Sequence, residues 1–282
     1  MNRPNRKSIL CPNCRKLISV DEPRCPHCGV SAPGARWKNN PLMRGWGSGE
    51  QLVRIIIFTN IGMYLLSLML NPRHMGIGFN PLNFFAPSPG SLEALGATGS
   101  WLSNNSFYWL SLVSANYLHG SIIHIFFNMM ALFQISPLIT QLFGAYRFFI
   151  IYTISGIGGF LISNIAGVPF TIGASAALCG LIGAALYYGK SRGGLFGETV
   201  YKQIGAWAIL IVLFGVLWPR VNNWAHIGGM IIGALTAMAV GYHEKIRENL
   251  AHRILAGACM LTTVLVLLFF VFRGLLRFFF SG

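Results

Sequence analysis

Polar and apolar positions divide the chain into two regimes. Residues 1–51 are punctuated by Pro, Gly, Cys, Asn and basic residues and hold no long apolar run. Beyond residue 51, long apolar runs alternate with polar breaks. Each run approaches the roughly 20 residues a helix needs to cross a hydrocarbon core. Seven spans are expected, at Leu52–Leu70, Leu118–Ile139, Phe148–Ala166, Ile172–Gly189, Ile204–Trp218, Trp224–Tyr242 and Ile254–Phe272. The fifth is short, which predicts tilt or local thinning of the bilayer. The last is followed by RGLLRFFFSG, a tail that could equally lie in the membrane interface.

Composition sharpens this picture. Of 282 residues, 54% are hydrophobic and only 10% charged, against about a quarter charged in ordinary soluble domains. That excludes an ordinary soluble enzyme and intrinsic disorder. The expected fold class is an all-α polytopic membrane protein. The seven acidic residues are Asp21, Glu22, Glu50, Glu93, Glu198, Glu244 and Glu248, none of them inside an apolar run. Intramembrane chemistry here must therefore proceed without a buried carboxylate, which excludes paired-aspartate proteases, carboxylate-bridged metal sites and Ser-His-Asp triads within the bilayer.

Charge fixes an expected orientation. The net charge is +14. With a cytoplasmic N-terminus, seventeen of the 21 Lys and Arg fall on the inner side, leaving Arg73, Arg220, Arg273 and Arg277 outside. This is the asymmetry of the positive-inside rule. Because the charge is spread over loops, nucleic acid is not an expected partner. The N-terminal MNRPNRKSIL lacks an apolar core, so a cleaved signal peptide is not expected.

The segment CPNCRKLISVDEPRCPHCG, residues 11–29, carries two Cys-x-x-Cys knuckles, Cys11/Cys14 and Cys25/Cys28. Four thiolates at such spacing suit a tetrahedral zinc ion. A segment this short builds no core of its own, so bound metal must provide its folding energy. A reducing cytoplasm argues against two disulfides. Residues 1–30 are thus expected to form a zinc-ribbon module, with His27 exposed and not a ligand, and residues 31–50 a linker. The module's expected partner is a cytoplasmic protein. Cys179 and Cys259 lie singly in apolar spans and are expected to pack inertly.

Strongly polar groups inside a bilayer are functional candidates. His119, His124 and Asn128 lie in the second span, Ser175 in the fourth and His226 in the sixth. Spans two, four and six run in the same direction, and all five groups fall in their outer halves. His124 and Asn128 are four residues apart and share a helix face. Small residues recur every fourth position in two spans: Ala225, Gly229, Gly233, Ala237 and Gly241, and Ala176, Gly180 and Ala184. Packing along these stripes would bring Ser175 beside His226. Each residue also has a plain reading: a membrane serine often bonds its own helical turn, and small residues often serve packing alone.

Together, HGSIIHIFFNMM, GAYRFFIIYTISGIGG, GASAALCGLIGA and NWAHIGGMIIGAL resemble the rhomboid family of intramembrane serine proteases, over about Leu52–Tyr242. The resemblance implies a six-helix core at residues 51–245, with residues 246–282 adding a seventh helix and tail. It implies Ser175 as nucleophile, in a Gly-x-Ser motif begun by Gly173, and His226 as general base. It further implies His124 and Asn128 as oxyanion-stabilising side chains, His119 as a structural residue and Asn71–Ser106 as an interfacial first loop. Two positions depart from the family pattern. Ala176 replaces the usual Gly after the serine, adding a methyl near the serine turn, and Ser111 stands where an arginine usually follows a tryptophan, here Trp109.

The chemistry then expected is cleavage of transmembrane segments of membrane proteins through a serine–histidine dyad and an acyl-enzyme, with no cofactor for catalysis. A catalytically inactive membrane-protein-binding relative is the alternative. A transporter is disfavoured by the lack of charged coupling residues and of an evident inverted repeat. The expected location is a bacterial inner (plasma) membrane.

Overall fold

A computed structural model describes residues 8–11, 16–35, 49–71, 84–104, 106–218 and 221–280. The chain divides into two compact units, Met1–Ser48 and Gly49–Gly282. Cys14, Arg73 and Arg220, and most of the expected linker, lie outside the described residues.

In the first unit, β1 (Ser8–Leu10) and β2 (Leu17–Ser19) form an antiparallel hairpin pairing Ile9 with Ile18. Cys11 N–H extends it by donating to Lys16 O at 2.9 Å. A second tight turn begins at Cys25, whose carbonyl accepts from Gly29 N–H at 2.8 Å and whose N–H donates to Val30 O at 2.9 Å. Gly29 takes a positive φ of 74° there, a conformation glycine adopts without steric cost. Cys11, Ile18 and Cys25 form a buried cluster among the described residues of this small unit.

The second unit is helical. Among the described residues its α-helices are α1 (Gly49–Met69), α2 (Pro89–Ala94), α3 (Tyr108–Ser114), α4 (Ile122–Phe143), α5 (Ala145–Ile165), α6 (Ser175–Arg192), α7 (Gly194–Leu217), α8 (Asn223–Val240) and α9 (Leu250–Phe280). Six of them, α1, α4, α5, α7, α8 and α9, are long and apolar enough to cross a membrane, so the protein is an integral, multi-pass membrane protein. α6 does not qualify by hydropathy, although the sequence reads as a span there. It lies at the centre of the bundle, in contact with α4, α5, α7 and α8. A helix surrounded by protein can be built from Ala and Gly, because close packing replaces contact with lipid.

Several expected boundaries are corrected. The fifth span is not short: its helix begins ten residues earlier, at Gly194, because the polar stretch GETVYKQ continues the helical turn. The seventh runs as one helix through the tail to Phe280. The second begins at Ile122, capped by Ser121, whose hydroxyl accepts from His124 N–H at 3.2 Å. His119 therefore lies in the approach to that helix. The fourth begins at Ser175 itself.

Backbones approach closely along the small-residue stripes. A Cβ at Gly229 or Gly233 would collide with the carbonyl oxygen of Ala176 or Gly180, respectively. α5 completes the packed trio: a side chain at Gly158 would meet Ile232 at 2.8 Å, and one at Gly228 would meet Ile162 at 3.0 Å.

The end of the bundle away from Ser175 is closed by polar bonds. Arg147, one residue before the expected third span, is wholly buried in the first turn of α5. Its guanidinium donates to Gly241 O at 2.8 Å and Ile246 O at 2.6 Å. Glu248 caps the same turn, accepting from Tyr146 N–H at 2.9 Å and Arg147 N–H at 3.2 Å. Its carboxylate sits over Gly144, a position with no room for a side chain. The segment after α8 is thereby fastened to the start of α5.

Candidate active site

Three helix starts meet at one end of the bundle. Ser175 is the first residue of α6, His226 lies in the first turn of α8 and His124 in the first turn of α4. Asn128 follows one turn deeper. His226 and Asn128 are buried, and Ser175 and His124 half-buried.

The approach to Ser175 is built from glycine. Gly173 has φ 123°, a region that L side chains rarely adopt, and its N–H donates to Ala115 O at 2.9 Å. A Cβ there would stand 2.7 Å from His124 Nε2 and 3.7 Å from Ser175 Oγ. Both atoms therefore border the space that the missing side chain leaves. No side chain caps α6, so its first-turn N–H groups, which lack intrahelical partners, make this a favourable position for negative charge.

His124 is held by its own surroundings. Gly120 N–H donates to His124 Nδ1 at 3.3 Å. Nδ1 is thus an acceptor, and in the neutral ring the proton sits on Nε2, the atom nearest Gly173. The buried His119 ring packs edge-to-face on His124, with centroids 5.0 Å apart. Asn128 Nδ2 donates one proton to His124 O at 2.9 Å, leaving its second N–H for another acceptor.

His226 is set by packing and by a cap. Ala225, beside it, and Ala176, beside Ser175, belong to one buried cluster with Leu112, Ala115 and Phe160. Asn222 caps α8, its Oδ1 accepting from Ala225 N–H at 3.1 Å. The Asn222 amide donates to Ser163 Oγ at 2.6 Å and Thr171 Oγ1 at 2.9 Å. One side chain thus links the helix bearing His226, the end of α5 and the segment leading to Ser175. Among the described residues, His226 Nδ1 has no hydrogen-bond partner, and no hydrogen bond joins the ring to the Ser175 hydroxyl. Such loose geometry is common in catalytic pairs without substrate.

Asn222, Thr171, Ser163 and Asn164 are site-supporting residues that sequence reasoning missed. Asn164 Nδ2 donates to Thr98 Oγ1 at 3.2 Å and Tyr108 Oη at 2.8 Å, tying in the first loop. Asn222 carried a legible signal, as a capping residue immediately before an apolar helix. Of the two departures, Ala176 is fully buried with its methyl carbon facing Gly159 on α5. Ser111 is buried, its hydroxyl donating to Tyr108 O at 2.6 Å, while Trp109 is exposed.

In the N-terminal unit, the sulfurs of Cys11, Cys25 and Cys28 lie within 4.8 Å of one another, a cluster that could hold a metal ion. Cys11 and Cys28 sulfurs are 3.6 Å apart, close to the roughly 3.8 Å between thiolates on a tetrahedral zinc with 2.3 Å bonds. The residues present fit such an ion.

The fold and the polar cluster define a multi-pass helical membrane protein with a group of polar side chains at one end of the bundle. A Rhomboid domain matches residues 106–243. The chain is 31% identical over 230 residues to RHOMBOID-like protein 2 of Arabidopsis thaliana, covering 70% of each. It is 33% identical over 151 residues to Rhomboid protease GluP of Bacillus subtilis, covering 54% of this chain but 30% of that protein. It is also 33% identical over 178 residues to Inactive RHOMBOID-like protein 8 of Arabidopsis thaliana, covering 60% of this chain and 48% of that one. The chain belongs to the rhomboid family.

Proposed function

We propose that this protein is an intramembrane serine endopeptidase that cleaves transmembrane segments of other membrane proteins. Ser175 attacks the scissile carbonyl while His226 takes its proton. The carbonyl carbon bonds to Ser175 Oγ, and the peptide C–N bond then breaks as the leaving amine receives the proton from His226. Water, activated by the same histidine, releases the acyl group. No carboxylate orients His226, so the cluster around Ala225 and the Asn222 cap perform that task.

The observation that carries this reading is that His124 Nε2 and Ser175 Oγ both border the space left by the missing side chain of Gly173. A protonated Nε2 there is placed to donate to an oxyanion formed at the serine, together with Ser175 N–H and Asn128. A substrate helix must unwind near its outer end to present its peptide bond, which favours small or helix-breaking residues at the cleavage site. The similarity to Rhomboid protease GluP supports the same activity.

In this reading the N-terminus is cytoplasmic, the Ser175 end faces outward and the location is a bacterial inner membrane. The cysteine unit carries a structural zinc held by Cys11, Cys14, Cys25 and Cys28 and engages a cytoplasmic protein. Catalysis needs no cofactor.

The test is reconstitution with a cleavable transmembrane substrate. Wild type should cleave it, while Ser175→Ala and His226→Ala should not. Equal product from all three would sink the protease reading. The second reading, a catalytically inactive client-binding member, is favoured by Ala176 and by the inactive Arabidopsis relative. It would be supported by no cleavage of several substrates together with failure of a fluorophosphonate to label Ser175.

A further inference from the structure

A cavity opens between the first loop and the end of α9. Glu93, Phe107, Tyr108, Phe270, Arg273 and Arg277 are among the residues that line it. Glu93 and both arginines lie outside the matched Rhomboid domain, and the cavity is walled jointly by the first loop with α3 and by the seventh helix. Its place is the Ser175 end of the bundle: Tyr108 Oη accepts from Asn164, and the first loop pairs Thr98 with Thr171.

Arg273 and Arg277 are four residues apart on α9 and share one face. The Arg273 guanidinium lies 5.3 Å from the Phe107 ring centre and 5.9 Å from that of Phe270. The aromatic faces fix its position but do not satisfy its N–H donors. Among the described residues, neither arginine forms an ion pair. Two neighbouring guanidiniums repel each other, and an anion between them would remove that repulsion.

Depth identifies the anion. At about 1.5 Å per residue, the 31 residues of α9 extend about 46 Å, well beyond a hydrocarbon core of about 30 Å. Its uninterrupted apolar run ends at Phe272, next to Arg273, so the excess length at this end reaches the headgroup layer. Around the arginines, Phe272, Leu276, Phe279 and Phe280 are exposed, forming a surface suited to acyl chains. Glu93, on the same cavity, is an exposed carboxylate. It disfavours a bare dianion and favours a phosphate that carries its own ammonium.

We propose that this cavity binds the phosphodiester headgroup of a membrane phospholipid, with Arg273 and Arg277 on the phosphate and Glu93 selecting an aminated headgroup. The shared chemistry, a phosphate oxyanion, could also come from free phosphate, and the lipid surface around the cavity favours the former. The site stands independently of proteolytic activity.

The test uses the full-length protein in detergent, titrated with short-chain phosphatidylethanolamine, phosphatidylglycerol, diacylglycerol or inorganic phosphate. Bound lipid is read by native mass spectrometry, and folding by the unliganded unfolding midpoint. Wild type should retain phosphatidylethanolamine best and diacylglycerol and phosphate not at all. Arg273→Gln/Arg277→Gln should weaken phosphatidylethanolamine binding by about tenfold or more. The single Arg277→Gln, at an exposed position, should weaken it less and keep the wild-type midpoint. Glu93→Gln should abolish the preference over phosphatidylglycerol while leaving binding itself. Undiminished lipid binding by a folded double variant would overturn the proposal. So would equal binding of inorganic phosphate, or displacement of lipid by a soluble acidic peptide at equimolar concentration.

Discussion

The methyl carbon of Ala176 faces Gly159, so closely that a Cβ on residue 159 would stand only 3.1 Å from it. The same Cβ would stand 2.7 Å from Ala225 O and 3.1 Å from Gly229 N. The extra methyl after the serine is therefore taken up in the junction of α5, α6 and α8. The His124 side of the site is not where it points.

Filling that junction should be costly. Gly159→Ala should destabilise the protein by about 1–3 kcal/mol, the usual range for overpacking. Ala176→Gly in the same chain should restore part of the loss, leaving the clash with the Ala225 carbonyl. A double-mutant cycle on unfolding in mixed micelles measures the coupling. Additive effects would mean that the two positions do not share the space.

Oxyanion stabilisation should appear in turnover more than in binding. His124→Ala and Asn128→Ala should each lower kcat on the order of a hundredfold, with KM little changed. Their unfolding midpoints should stay close to wild type, since His124 is half-buried and Asn128 bonds its own helix. Steady-state kinetics on a reconstituted transmembrane substrate, run beside the midpoints, separates the catalytic role from a packing role.

The Glu248 cap offers a test away from the chemistry. Glu248→Ala should cost about 1–2 kcal/mol, as loss of a helix cap typically does. Arg147→Leu should cost more, about 2–3 kcal/mol, because it strands the Gly241 and Ile246 carbonyls it now bonds. Thermal or denaturant unfolding gives both values. Equal, negligible effects would show that the segment after α8 is held by packing instead.

Metal removal should separate the two units. Chelation, or Cys11→Ser/Cys25→Ser, should release about one zinc per chain and make residues 8–35 sensitive to protease, because so short a unit depends on metal for its folding energy. The helical unit should keep its unfolding midpoint and any proteolytic activity. Zinc analysis and limited proteolysis on the same sample give the two readouts.

Much of the candidate site was legible because polar groups are sparse in the apolar runs. Against an apolar background, Ser175, His226, His124 and Asn128 stand out, and their order matches a family pattern. The stripes at Ala176/Gly180 and Gly229/Gly233 were also legible, since close approach needs small residues at helical spacing. Glu248 was harder to see. A side chain that caps another element from 102 residues away, as Glu248 does for Tyr146, leaves no local periodicity. Arg147 falls just outside the third expected span, because hydropathy registers its charge and not the carbonyls that satisfy it.

By itself the sequence determined that the chain is a polytopic helical membrane protein, because a bilayer demands long apolar runs and excludes unpaired charge. It also determined which few side chains could carry chemistry, because so few polar groups lie within those runs. Only the tertiary structure decided where the helices begin, and so put Ser175, His226 and His124 in the first turns of three different helices. It also decided that α6 is the enclosed helix, that Ala176 packs on Gly159 and that the end of α9 meets the first loop in a basic cavity. Each of these depends on contacts between segments distant in the chain. Side-chain volume and hydrogen bonding across such distances are settled only when the helices pack.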